Sequence, residues 1–193
     1  MSGGHGHHDI GNKKIALLIA ILALCLAISE TLGKSAQTAT IQRNIEAANL
    51  WAFFQAKTIR MTTLRTAAEE METMAPAIAS EAVRKAAEQR IESWKRNAAR
   101  LDSEPETQEG RKELVGRAKA AEAKRDTAAA AHHHYEVASA SFQIAIVLAS
   151  AVIITGIGLL GAGALALGGV GIAFTAIGLL APDAIHLFRP GTW

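Results

Sequence analysis

The chain has 193 residues, 20 Lys and Arg against 18 Asp and Glu, a single cysteine, and a residue set that is half hydrophobic with few aromatics. This length holds one or two small units, a formal charge of +2 gives no basis for nucleic-acid binding, and one Cys excludes an internal disulfide framework or a four-cysteine zinc site. Charge is strongly segregated: the 46 residues between Glu136 and Asp183 contain no Asp, Glu, Lys or Arg, whereas residues 33–135 hold 17 basic and 14 acidic side chains.

Residues 1–14 form a flexible tail rich in Gly and His. Residues 15–28 (IALLIAILALCLAI) are uninterrupted apolar sequence, and extension to residue 32 gives 18 residues, a helix of about 27 Å that just crosses a hydrocarbon core of about 30 Å. The competing reading is a cleaved signal peptide, because Lys13 and Lys14 precede a short apolar run and Ala27-Ile28-Ser29 resembles a cleavage site.

Residues 33–135 read as a charged helical stalk. Residues 35–75 lack Gly and Pro, and Leu50, Phe54, Lys57, Met61, Leu64, Ala68, Met71 and Ala75 step alternately by four and three, as in a coiled-coil seam. A second stripe, Ile41, Ile45, Ala48 and Ala52, widens the apolar face and points to more than one neighbour. Pro76 ends or kinks this helix, and 77–101 resumes with Val83, Ala87, Ile91, Trp94, Ala98 and Leu101 on one stripe. An acidic breaker at 102–110 forms the distal loop, and 111–135 returns with Leu114, Ala118, Ala121, Ala128 and Tyr135 at helical spacing. This last helix is expected to run unbroken into the membrane. Alanine-rich seams bury little area, so the stalk is expected to need partner subunits or an additional protein, the alternative being a self-sufficient three-helix bundle.

The second apolar region is too long for one crossing and must fold back. The expected turn is Gly161-Ala162-Gly163, between spans at 141–160 and 164–181, with 182–193 as a tail. Eight of the chain's 16 glycines lie here, and small residues let membrane helices approach closely. Gly158/Ala162, Ala164/Gly168, Gly169/Ala173 and Gly171/Thr175 have small-xxx-small spacing, and Gly156/Gly163, Gly161/Gly168 and Gly171/Gly178 recur at seven. Rotor rings of ATP synthases share a glycine-rich hairpin, but they need an intramembrane carboxylate and this hairpin has none.

The expected fold is therefore all-α: three transmembrane helices, one N-terminal and two in a C-terminal Gly-rich hairpin, with a long coiled-coil-like extramembrane stalk. Lys34, Arg43, Lys119, Lys124, Arg125 and Arg189 outnumber Lys13 and Lys14, so the positive-inside rule places stalk and C-terminus in the cytoplasm and the N-terminus outside.

Few residues suggest chemistry. His5, His7 and His8 form one imidazole cluster, and His132 shares a helix face with Glu136 at i,i+4, a spacing that can hold two ligands on one metal. The bland alternatives are a solvated tail and interfacial histidines. Glu30 and Lys34 pair at the membrane edge, and Cys25 lies in the bilayer. No nucleophile elbow, phosphate loop or zincin motif is present, so neither an enzyme nor a cofactor is expected.

Gly33-Lys-Ser-Ala-Gln-Thr and the string NLWAFFQAKTIR at 49–60, between a His-rich stub with its one span and a closing apolar hairpin, resemble the bacterial membrane family catalogued as domain of unknown function 4337. The string is similar to that family's W-A-[FY]-[FY]-Q-A-K-[ST]-I-[KR] pattern over residues 51–60. The resemblance covers nearly the whole chain and implies a bacterial inner-membrane location without an activity. Trp51, Gln55 and Lys57 are the candidates within the string for partner or headgroup binding. Leu50, Phe54, Met61, Leu64 and Met71 in the stalk, with Gly158, Ala162, Gly169 and Ala173 in the hairpin, are the candidate oligomer interface. Expected partners are further copies of the chain, membrane lipids and another membrane or cytoplasmic protein. The leading expectation is a homo-oligomeric inner-membrane scaffold; the alternatives are an oligomeric pore and a metal-responsive membrane sensor.

Overall fold

A computed structural model describes residues 6–184, with side chains described from Lys13 onward. The described residues are all-α and contain no strand. Helix α1 covers Gly6–Met74, a 3₁₀ turn covers Ala75–Ala77, α2 covers Glu81–Asp102, α3 covers Arg111–Thr155 and α4 covers Gly158–Leu180. Three of them, α1, α3 and α4, are long and apolar enough to cross a membrane. The chain divides into two compact units, to both of which α1 and α3 contribute.

The apolar unit comprises the chain up to Ile41 and from Arg125 onward. Here α1 and α4 both run antiparallel to α3. Leu22, Ala138, Phe142 and Ala145 form its core, flanked by Leu18, Cys25, Leu26, Ile146, Leu167 and Phe174. Ala164, Gly168, Gly171 and Gly178 are the buried face of α4. Their missing side chains are filled by larger ones: a Cβ at Gly171 would stand 2.6 Å from the Phe142 ring, one at Gly168 2.8 Å from Leu22, and one at Gly178 2.8 Å from Tyr135. Contact in lipid depends on such close fitting, since lipid tails already satisfy apolar side chains.

The hairpin turn differs from the expected one. It lies at Gly156 and Ile157, between α3 and α4, and Gly156 adopts φ +68°, a left-handed geometry that suits glycine. Gly161 and Gly163 instead sit inside α4, where they face Val152 and Leu148. They serve helix packing, and the turn falls where the chain reverses beyond them.

The charged unit, Gln42–Lys124, is built from the later part of α1, all of α2 and the start of α3. Ala47, Leu50, Leu114, Ala118 and Ala121 form one core, with Trp51 and Phe54 against it. Ala68, Ala75 and Ile91 form another, with Met71 and Trp94 against it. Every residue of the α1 seam from Leu50 to Ala75 is buried or half-buried. The seam expected at an interface between copies thus packs against α2 and α3 of its own chain. Pro76 sits in the 3₁₀ turn that separates α1 from α2, as its missing amide and fixed φ require.

Candidate functional site

Two polar constellations stand out, one in each unit. In the apolar unit, α1, α3 and the end of α4 bring together a belt of hydroxyl, imidazole and carboxylate groups. Polar atoms in such surroundings need internal partners, because neither lipid nor packed side chains replace water. Ser29 is fully buried and donates to the Tyr135 carbonyl at 3.2 Å, and Ser139 donates to the Ser29 hydroxyl at 3.3 Å. His132 Nδ1 lies 3.1 Å from the Gly33 carbonyl, so this nitrogen carries the proton. Gly33 brings the helices close at this crossing, where a Cβ would stand 3.4 Å from the Cβ of Tyr135.

His134 is the most enclosed histidine among the described residues, at 1% exposure. Its Nε2 lies 3.0 Å from the carbonyl of Pro182, just beyond α4, and its ring rests on Phe174 with centroids 5.9 Å apart. Nδ1 of the same ring is buried without a hydrogen-bond partner among the described residues. Thr127 donates to Asp183 at 3.1 Å, a second tie between α3 and the chain after α4. Gln143 Nε2 donates to Glu30 at 3.5 Å, so Glu30 meets a group on α3.

Of the expected metal ligands, His5 lies outside the described residues, as do the side chains of His7 and His8. His132 Nε2 stands 3.4 Å from Glu136 Oε1, and His133 Nδ1 stands 3.6 Å from Glu136 Oε2. With Nδ1 of His132 already turned to Gly33, this arrangement ties α3 to α1. Among the described residues no group of three or more His, Cys, Asp or Glu side chains is placed to hold a metal ion.

The second constellation is a clasp in the charged unit, where one face of the 51–60 string meets α3 and the loop before it. Trp51 Nε1 donates to Glu122 at 2.8 Å, and Trp51 meets Phe54 edge to face. Lys57 Nζ is 3.7 Å from Glu109 and 4.0 Å from Glu104, and stands over the Phe53 ring at 4.9 Å. Arg111, the first residue of α3, donates to Thr58 at 2.8 Å and to Asp102 at 2.9 Å, and lies over the Phe54 ring at 5.0 Å. Glu113 accepts from the Ser103 hydroxyl at 2.7 Å and the Glu104 amide at 3.2 Å, so its carboxylate closes the loop onto the start of α3.

The electrostatics follow from these contacts. Partial desolvation pushes the Asp102 carboxyl up, but Lys112 and Arg111 beside it outweigh this and hold it below its ordinary value. The Ser103 hydrogen bond, backed by the Glu104 amide, lowers Glu113 against a smaller desolvation effect. The hydrogen bond from Lys95 to Glu72 raises the Lys95 amine. An open groove of about 600 Å³ beside the Pro76 turn is lined by Glu72, Arg84, Glu88 and Glu92 around Ile91.

Trp51 and Lys57 are therefore engaged inside the chain, while Gln55 is exposed. Of the expected oligomer interface, Leu50, Phe54, Met61, Leu64 and Met71 face inward, whereas Gly158, Ala162, Gly169 and Ala173 remain exposed on α4. Sequence reasoning missed Ser29, Ser139, Arg111 and Glu113, and read His134 only as one of the three adjacent interfacial histidines His132, His133 and His134. Two small hydroxyls at the ends of apolar runs were a readable signal for Ser29 and Ser139. The partners of Arg111 and Glu113 lie on separate elements and leave no local trace.

No curated protein and no solved structure matches the chain. The family model described as Domain of unknown function (DUF4337) matches residues 11–181, and the chain belongs to that family.

Proposed function

We propose that this chain is a homo-oligomeric structural protein of the bacterial inner membrane, whose charged helical unit faces the cytoplasm and organises further copies or recruits another protein. The observation that carries this reading is the distribution of apolar surface in the charged unit. Its seam of alternating four- and three-residue steps is already satisfied by α2 and α3, yet Ile45 and Ile59 remain 55% and 68% exposed on α1. Apolar side chains that stay in water after the core is complete mark contact surface when they fall on one line. The polar constellations favour the same reading, since their groups tie helices together.

The test is the native mass of the full chain in lipid nanodiscs. A discrete multiple of the 20.3 kDa chain is expected, and a monomer at all protein-to-lipid ratios overturns the proposal.

A further inference from the structure

Helix α1 carries a line of exposed residues opposite its buried seam: Ile41, Ile45, Ala48, Ala52, Gln55 and Ile59, stepping by four, three, four, three and four. The same line continues through Thr38 at one end and Thr62 and Thr66 at the other, all exposed and uncharged. Its first ionisable members are Lys34 before and Glu69 after. Between them the line runs for nine positions without a charge. The exposed neighbours Asn49 and Ala56 beside it are also uncharged. By contrast, exposed positions of α2 are filled by Arg84, Lys85, Glu88, Arg90 and Glu92, the usual composition of a helix face left in water.

We propose that this line is the contact between two copies of the chain, with their α1 helices side by side and parallel. The inference rests on the oligomeric reading above and names the surface and the partner. The occupant follows from three features. First, the amino-terminal part of α1 is long and apolar enough to be a membrane span, so copies inserted alike in one bilayer run their α1 helices in the same sense. Second, the period is that of a two-stranded parallel seam: Ile45 and Ile59 occupy one class of seam position, Ala48 lies between them, and alanines allow close approach. Third, Gln55 is the single amide on the apolar stretch and falls opposite its own copy only when the helices are in register, where the two side chains can hydrogen-bond to each other. Lys34 and Glu69 would meet their own kind in such a pair, which sets its two ends.

An alanine-rich seam is weak in free solution. Membrane anchoring offsets this, because two copies confined to one bilayer meet at a high effective concentration. The surface is accordingly one that assembles in the membrane.

The experiment uses the full chain in native membranes, with Cys25→Ser removing the natural thiol. Ala52→Cys and Ile59→Cys are compared with Gln89→Cys, an exposed position on α2, under mild oxidation. The two line positions are expected to give at least about fivefold more disulfide-linked dimer than the control, and Ala52→Glu, in the Ile59→Cys background, is expected to abolish it. Equal crosslinking at all positions overturns the proposal. So does a multimeric native mass without crosslinking on this line, which leaves the oligomeric reading intact and moves the interface elsewhere. A crosslink to a different protein in place of a second copy also overturns it. A monomeric native mass sinks both readings together.

Discussion

Gly110 shows how one residue decides the loop between α2 and α3. It is buried, and a methyl group there would collide with the Glu104 amide and stand 2.7 Å from the Ser103 Cα, both backbone atoms that cannot swing aside. Gly110→Ala should therefore cost about 1–3 kcal/mol, the usual range for overpacking, and lower the thermal midpoint of the chain in nanodiscs. An unchanged midpoint would mean that the loop opens freely. The carboxylates of the same loop give a pH dependence. Asp102 and Glu113 are held below their ordinary values, so they bind protons less readily folded than unfolded. Their stabilisation is complete above the ordinary carboxylate range, near pH 4, and is lost as pH falls through the lowered folded values. Thermal unfolding followed by circular dichroism should be flat in this contribution from neutrality to about pH 5 and fall below about pH 4. Glu113→Gln should remove part of that acid loss, and an identical acid profile in the variant would assign the effect to other carboxylates. Gln108 has φ 57°, a left-handed geometry costly for a residue with a Cβ, so Gln108→Gly should gain about 0.5 kcal/mol after glycine's larger unfolded-state entropy is counted. A loss of stability would show that the hydrogen bond from Gln108 Nε2 to the Pro105 carbonyl outweighs the backbone strain.

At the scale of an element, α4 works as a groove cut by glycines. Phe142 fills the space at Gly171 so closely that Gly171→Leu should disrupt the apolar unit, whereas Phe142→Ala leaves a cavity and costs by a different route. Combining them should restore part of the loss, because each change relieves the other, giving a coupling of about 1–3 kcal/mol in a double-mutant cycle. Unfolding in mixed micelles measures this, and strict additivity would show that the two residues do not pack as described. The stripes that build these elements were largely legible in the sequence, since Leu50 to Ala75, Ile91 to Ala98 and Leu114 to Ala121 repeat at the helical period and turn inward, whereas Val83, the first residue of the expected α2 stripe, is 55% exposed. Their destination was not legible. A seam with alternating steps of four and three fits another copy as well as the chain's own α2 and α3, and periodicity has no information on which one is present. The hairpin turn illustrates the same limit: Gly161 and Gly163 looked like a turn, but a glycine needed for φ and a glycine needed for close packing are the same letter.

At the scale of the whole molecule, the two-part organisation was readable because charge is so unevenly distributed, while the polar ties within each unit were not. Lys57 entered the sequence reading as a polar member of an apolar seam without a packing reason; its partners Glu104 and Glu109 are far away in the chain and only folding brings them to it. The proposed orientation rests on charge: Lys34, Arg43, Lys119, Lys124 and Arg125 outnumber Lys13 and Lys14, which with three crossings favours a cytoplasmic charged unit. In a Cys25→Ser background, a cysteine at the exposed Glu106 should resist a membrane-impermeant maleimide in intact cells and react after permeabilisation. A cysteine at Ile157, in the exposed turn, should react in both. The reverse pattern would put the charged unit in the periplasm and any partner it recruits there with it. Labelling of both sites in intact cells would mean that α3, the helix between them, does not cross the membrane.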